Sequence, residues 1–180
     1  CERKGQRDLV QALATFQGAS ARNARVCLVG NEESRCARRL RSDIARLPPE
    51  RRAHVAIHPA TSDIQKFYAA ADVYVLCSRL ESYPRVILEA MAYGLPVIAT
   101  PVFGVLEQLP GDVNALYYQP GDVEKLAGHL RTTAEDEQLR EQLATLSETQ
   151  FEALNGFERM VTNYGRVFSG AFRSQQRMCL

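Results

Sequence analysis

Val73-Tyr74-Val75-Leu76-Cys77, then Ser78-Arg79-Leu80-Glu81-Ser82-Tyr83-Pro84-Arg85-Val86-Ile87-Leu88-Glu89-Ala90-Met91-Ala92-Tyr93-Gly94, then Leu95-Pro96-Val97-Ile98-Ala99, is the stretch that decides the fold. Val73 to Cys77 is apolar without a break, as a strand is when both its faces are covered. Pro84 is suited to the first helical position, Gly94 is a natural stop, and Pro96 to Ala99 reads as the next strand. Strand, helix and strand in so short a span predict a parallel pair with a crossover helix.

The same alternation extends in both directions. Upstream, Leu9, Leu13 and Phe16 keep helical spacing, and Arg25 to Val29 is a short strand ending at Gly30. A helix from Ser34 to Leu47 stops at Pro48-Pro49, His54 to Ile57 is a strand, and Asp63 to Ala71 is a helix. Downstream, Ala115 to Tyr118 is expected to be the last strand, with helix from there to the end. Apolar strands separated by helices predict a doubly wound α/β domain with one parallel sheet covered on both faces. Ligands of such sheets bind beyond the carboxyl ends of the strands, so the residues after Val29, Ile57, Cys77 and Ala99 are the ones to inspect.

Composition narrows the class. A chain of 180 residues with 46% hydrophobic and 24% charged residues can build one sizeable core and is neither disordered nor, given its short apolar runs, expected to span a membrane. The five cysteines at 1, 27, 36, 77 and 179 show neither disulfide pairing nor Cys-x-x-Cys spacing, so a reducing, cytoplasmic setting is expected. Because the chain opens Cys1-Glu2-Arg3-Lys4 without an initiator methionine, it is expected to be a piece of something longer. The net charge of +1 hides an asymmetry: residues 1 to 60 hold twelve Lys and Arg against six Asp and Glu, and 107 to 158 hold three against eleven. The Arg35 to Arg52 cluster has no aromatic residue among its arginines to stack a base, which favours a solvated helix face over nucleic-acid binding. His54 and His129 lie apart from any metal-ligand spacing, and Cys77, at a strand end, reads as packing; no metal is expected.

Chemistry concentrates after Cys77. Glu81 and Glu89 are separated by seven residues, one in the loop facing the helix N-terminus and the other on its second turn. The unpaired amides of Arg85, Val86 and Ile87 suit a phosphate. A carboxylate accepts from two neighbouring hydroxyls, so paired carboxylates beside a phosphate cradle suit a nucleotide sugar. The structural alternative is that Glu89 pairs with Arg85 one turn earlier and Glu81 merely complements the helix dipole.

The segment closely resembles the signature of the retaining GT-B glycosyltransferases of the "glycosyl transferases group 1" family: a loop with Glu-x-Phe-Gly, a helix with a second Glu, then Ala-Met-Ala-x-Gly-x-Pro-Val. Lys4-Gly5 with Asp8-Leu9-Val10 and Ala12 resembles that family's Lys-Gly loop and first helix. Val26 to Gly30, Asp63 to Asp72 and Thr100 to Asn114 follow in order, so the resemblance covers about residues 3 to 130. It implies the C-terminal, donor-binding half of a GT-B fold: a nucleotide-sugar-binding Rossmann-like domain over 1–155, and over 156–180 a helix carrying Phe157, Tyr164, Phe168 and Phe172 that packs back on an N-terminal domain. It implies that Lys4 neutralises the donor diphosphate and Glu81 contacts the transferred sugar, with Ser82, Tyr83 and the Arg85 and Val86 amides around the phosphates. Glu89 is assigned the ribose hydroxyls, and Gly30, His58, Pro59 and Ala60 the remainder of the nucleotide pocket. The implied activity is metal-independent transfer of a sugar with retention of configuration, the nucleotide sugar being a co-substrate and no further cofactor required.

Three departures accompany the likeness. Tyr83-Pro84 stands for Phe-Gly and removes an amide, Gly30-Asn31-Glu32 stands for Gly-x-Gly, and Pro59 replaces a usual glycine. The family's arginine before the lysine, its first and central strand, and its acceptor-binding domain would all precede residue 1. The piece alone is therefore expected to bind nucleotide weakly, to transfer nothing, and to have an unpaired interior sheet edge. Peripheral membrane contact through that other half stays open. The alternatives are a degenerate, non-catalytic nucleotide-sugar or partner-binding module and half of a nucleotide-sugar epimerase, the latter fitting the 81 to 96 pattern less well. A phosphoacceptor receiver lacks its acidic cluster and lysine here.

Overall fold

Five short parallel strands and eight helices make up the computed structural model, which describes residues 2–16, 24–31, 33–111, 115–154 and 162. A 3-10 turn, Glu2–Lys4, leads into α1 (Gln6–Thr15), β1 (Val26–Asn31), α2 (Arg35–Ala45) and α3 (Pro49–Arg52). Next come β2 (Val55–Pro59), α4 (Gln65–Ala69), β3 (Tyr74–Leu76), α5 (Arg85–Ala92) and β4 (Val97–Ala99). The chain closes through α6 (Gly104–Gln108), β5 (Leu116–Tyr117), α7 (Val123–Glu135) and α8 (Glu137–Leu154).

The helix starts follow local chemistry. Ser34 caps α2 by accepting from the Ala37 amide at 3.1 Å, and Asp122 caps α7 from the Lys125 amide at 2.9 Å. Pro48-Pro49 ends the predicted second helix, yet Pro49, lacking an amide that a first helical turn would leave unpaired, also opens the short α3, which periodicity did not reveal. Pro84 sits one position earlier than expected, as the N-cap of α5 in extended backbone.

The single expected sheet is divided: β1–β2 form one parallel ladder and β3–β4–β5 another. No strand among the described residues joins the two ladders. Both faces of the three-stranded ladder are nonetheless covered, as the apolar strands require. Leu76, Val97 and Ala99 pack with Ile87, Ala90 and Met91 of α5 and with Val105, while Cys77 and Ile98 pack on the other side with Leu9 and Ala12 of α1 and Leu126 of α7. Residue alternation along a strand produces this division. Helix α1 also carries Val10 to a third cluster, with Leu40, Ile44, Val55 and Ile57, and so covers both ladders. The segment 156–180, apart from residue 162, lies outside the described residues.

Phe103 is exposed and has φ 41° and ψ −120°, a backbone conformation suited to glycine. Phe103→Gly is expected to raise stability by about 1 kcal/mol, since relieved strain outweighs the added unfolded-state entropy. The urea midpoint at constant slope measures it. By contrast Ile87→Ala, at a fully buried position, is expected to cost about 2 to 5 kcal/mol in the same assay.

Candidate functional site

The site is built where the 3-10 turn meets the β3–α5 loop. The Arg79 amide donates to the Arg3 carbonyl at 2.7 Å, holding turn and loop together. Gly5 follows with φ 60°, and a Cβ there would overlap the Cys77 carbonyl, so only glycine permits this approach. Lys4 Nζ consequently reaches Glu81 Oε1 at 2.6 Å, and Ser78 Oγ donates to the same oxygen at 2.7 Å. Burial alone would raise the Glu81 carboxyl, but the hydrogen bonds from Lys4 and Ser78 outweigh it and hold the group below the ordinary carboxylate range.

Below this pair, Thr100 Oγ1 donates to the Ser78 carbonyl at 2.5 Å from a fully buried position. Asp8, buried on α1, accepts from Arg79 Nη2 at 2.9 and 3.1 Å through its two oxygens and from the Gly121 amide at 2.9 Å. One carboxylate thus joins α1, the loop after β3 and the turn before α7. The β4–α6 turn closes the other flank, with Gly104 lying so near the Ser82 carbonyl that a Cβ would collide with it.

Ser82 and Tyr83 are exposed, and Pro84 is buried beneath them. The Ile87 amide returns to the Pro84 carbonyl at 3.1 Å, while the preceding Arg85 and Val86 amides have no partner among the described residues. The Arg85–Glu89 pairing does not form. Glu89 Oε2 instead accepts from the Tyr68 hydroxyl of α4 at 2.8 Å. Tyr74 is near enough to be acted on by both carboxylates: its hydroxyl is pushed well up, chiefly by burial, with smaller contributions from Tyr68, Cys77, Glu89 and Glu81.

The remaining predicted residues sit on the other ladder. His58 and Pro59 belong to β2 and are not loop residues, because the β1–β2 pairing continues through Asn31 and Pro59. Gly30 lies within β1 at the register shift between Val29 and Asn31, with φ 89°. Ala60 is exposed just beyond β2. The connection from this group to Glu89 runs through α4: the Phe67 ring lies 4.9 Å from that of His58, and the next residue is Tyr68. Sequence reasoning missed Ser78, Arg79 and Tyr68 as site groups, because a polar residue's pairing across distant elements leaves no periodic signal.

Other groups are structurally occupied. His54 Nδ1 and His129 Nε2 lie 3.2 and 2.9 Å from the Ala24 and Tyr117 carbonyls, and burial raises the Cys77 thiol to about 11, which leaves it a poor nucleophile. No cluster of three or more metal-ligating residues occurs among the described residues.

Parallel ladders covered on both faces, with a lysine and two carboxylates gathered around the α5 N-terminus beyond the strand ends, define a Rossmann-like α/β domain of the kind that forms the C-terminal half of a GT-B fold. Over residues 2–149 the chain matches the family described as "Glycosyl transferases group 1", and it belongs to that family. It is 32% identical over 125 residues to the sulfoquinovosyl transferase SQD2 of Arabidopsis thaliana, covering 57% of this chain and 24% of that protein. It is 31% identical over 144 residues to the lipopolysaccharide core biosynthesis glycosyltransferase LpsE of Rhizobium meliloti, covering 79% and 39%. Among solved structures, Anabaena Alr3699/HepE in complex with UDP superposes with a TM-score of 0.84 at 26% identity, over 94% of this chain and 46% of that one. The C-terminal domain of a group 1 protein, LpcC from Francisella tularensis, superposes with a TM-score of 0.73 at 21% identity, over 85% and 80%. The chain therefore spans less than half the length of these curated relatives.

A folded carboxylate held below its ordinary range contributes stability above that range and loses it as pH falls through the lowered value. Glu81→Gln is accordingly expected to flatten the acid limb of stability against pH while changing little at neutral pH beyond the lost ion pair. Urea midpoints from pH 3 to pH 7 provide the comparison.

Proposed function

We propose that this chain is the donor-binding domain of a glycosyltransferase that takes a nucleoside-diphosphate sugar and transfers the sugar with retention of configuration, without a metal. The observation that carries the reading is the Lys4–Glu81 contact at 2.6 Å beside the unpartnered Arg85 and Val86 amides. A cation, a helix N-terminus and a carboxylate at one point match a leaving diphosphate next to a sugar carbon that becomes positive. Family membership and the UDP-bound neighbour support it.

In this reading Lys4 and Glu81 neutralise one another until the donor arrives, and the diphosphate then draws the ammonium away. The bond from the anomeric carbon to the diphosphate breaks, its electron pair leaving with the nucleoside diphosphate, and Lys4 and the α5 amides stabilise the added charge. Glu81, released, holds the sugar, and the acceptor hydroxyl oxygen forms the new bond on the same face while its proton passes to the departing diphosphate oxygen. Ser82 and Tyr83 border the phosphates, Glu89 binds the ribose, and His58, Pro59, Ala60 and Gly30 line the base side. The acceptor is supplied by a second domain facing the cleft, so transfer by this chain alone is not expected, and its setting is the cytoplasm. A binding-only module is the second reading, favoured by Tyr83-Pro84, which takes one amide from the phosphate cradle.

Calorimetric titration of the purified chain with UDP, GDP and ADP, without added metal, tests the proposal. One nucleotide is expected to bind at millimolar or tighter affinity, and Glu89→Ala to abolish the signal without unfolding the chain. A cooperatively folded wild-type chain that binds none of the three would count against the donor-site assignment.

A further inference from the structure

Glu89 is half-buried, and among the described residues neither a cation nor a second donor contacts it. A carboxylate removed from water in this way is unfavourable unless donors engage it. Its one partner is the Tyr68 hydroxyl, 2.8 Å from Oε2, which leaves Oε1 and the remaining lone pair of Oε2 to accept from elsewhere.

Tyr68 is well placed to hold that geometry. It is buried, its ring stacks with Tyr93 at 5.6 Å and 21°, and it meets Tyr74 at 5.9 Å. Those contacts restrict the ring, so the hydroxyl has a fixed direction, and it points at a carboxylate on another helix. Helix α4 further couples two places: Phe67 packs on His58, and Tyr68 bonds Glu89. A single short helix therefore sets the spacing between the His58 strand end and the Glu89 carboxylate.

We propose that Tyr68 is a positioning residue that orients Glu89 toward the two ribose hydroxyls of the bound nucleotide, making selection of ribose over deoxyribose depend on α4. The inference rests on the donor-domain reading above. Burial, then Glu89 itself, push the Tyr68 hydroxyl far up from its ordinary value, so it remains a proton donor to the carboxylate across the working pH range. With the phenol gone, Glu89 loses its fixed rotamer, and the cost falls on the contact that needs both oxygens in place.

The test measures calorimetric affinities of wild type and Tyr68→Phe for the ribose and 2′-deoxyribose forms of the nucleoside diphosphate that binds, with thermal melting in parallel. Phenylalanine preserves the ring stacking, and Tyr68→Leu serves as the comparison that removes it. Wild type is expected to prefer the ribose form, and Tyr68→Phe to lower that preference by about tenfold while affinity for the deoxy form changes little. Tyr68→Leu is expected to lower the melting temperature as well as the preference. Equal weakening toward both forms, or an unchanged preference, in a folded Tyr68→Phe chain would overturn the positioning role and leave the donor reading standing. A folded wild-type chain that binds no nucleotide would overturn both.

Discussion

Asp8 is the constraint on which the arrangement of the site depends. A buried carboxylate is costly unless its oxygens are engaged, and Asp8 engages them with Arg79 and the Gly121 amide, groups contributed by two different loops. Because Asp8 is part of α1, whose apolar side covers both ladders, those loops are referred to one rigid helix. Arg79 then transmits the placement to the 3-10 turn, since its amide holds the Arg3 carbonyl, and Lys4 is the next residue. The Lys4–Glu81 pair is thus a consequence of a polar contact made outside the pair itself.

Close backbone approaches complete the frame. Gly5 lies against the Cys77 carbonyl and Gly104 against the Ser82 carbonyl, both with no room for a Cβ, so the loop from Ser78 to Pro84 is gripped from both sides. Thr100 and Gln108, both buried, add side-chain bonds to the Ser78 and Pro84 carbonyls. Phe103, in glycine-like backbone immediately before Gly104, shows strain retained next to this grip. A loop held by these contacts presents its donors and charges in fixed positions, the condition under which they are most effective.

The site satisfies its charges internally but incompletely. Glu81 takes two donors, Glu89 only one, and the first α5 amides none among the described residues. These unfilled positions fall on one helix terminus and its second turn, whereas in the Arg35 to Arg52 region Arg41 pairs with Glu33, Arg39 with Glu2 and Arg46 with Asp43.

Much of this was legible in the chain itself. Continuous apolar strands between helices dictated parallel pairing with both faces covered, because crossover helices must bury both sides, and Ser34 and Gly94 marked helix limits through chemistry local to each. The Glu81–Glu89 spacing around Pro84 placed two carboxylates before and on the first turns of one helix, since helical geometry over a few residues is set by the backbone. The division of the sheet, the extension of β2 through His58 and Pro59, and the short α3 were not legible, because strand ends are fixed by ladder pairing with another segment. Nor could the sequence choose Tyr68 over Arg85 as the partner of Glu89: both lie within reach in principle, and only the packing of α4 against α5 selected between a neighbour one turn away and a phenol 21 residues distant. Local spacing determined which polar residues fall at the α5 terminus; tertiary packing decided which of them meet, because side-chain pairing across distant elements depends on the whole fold.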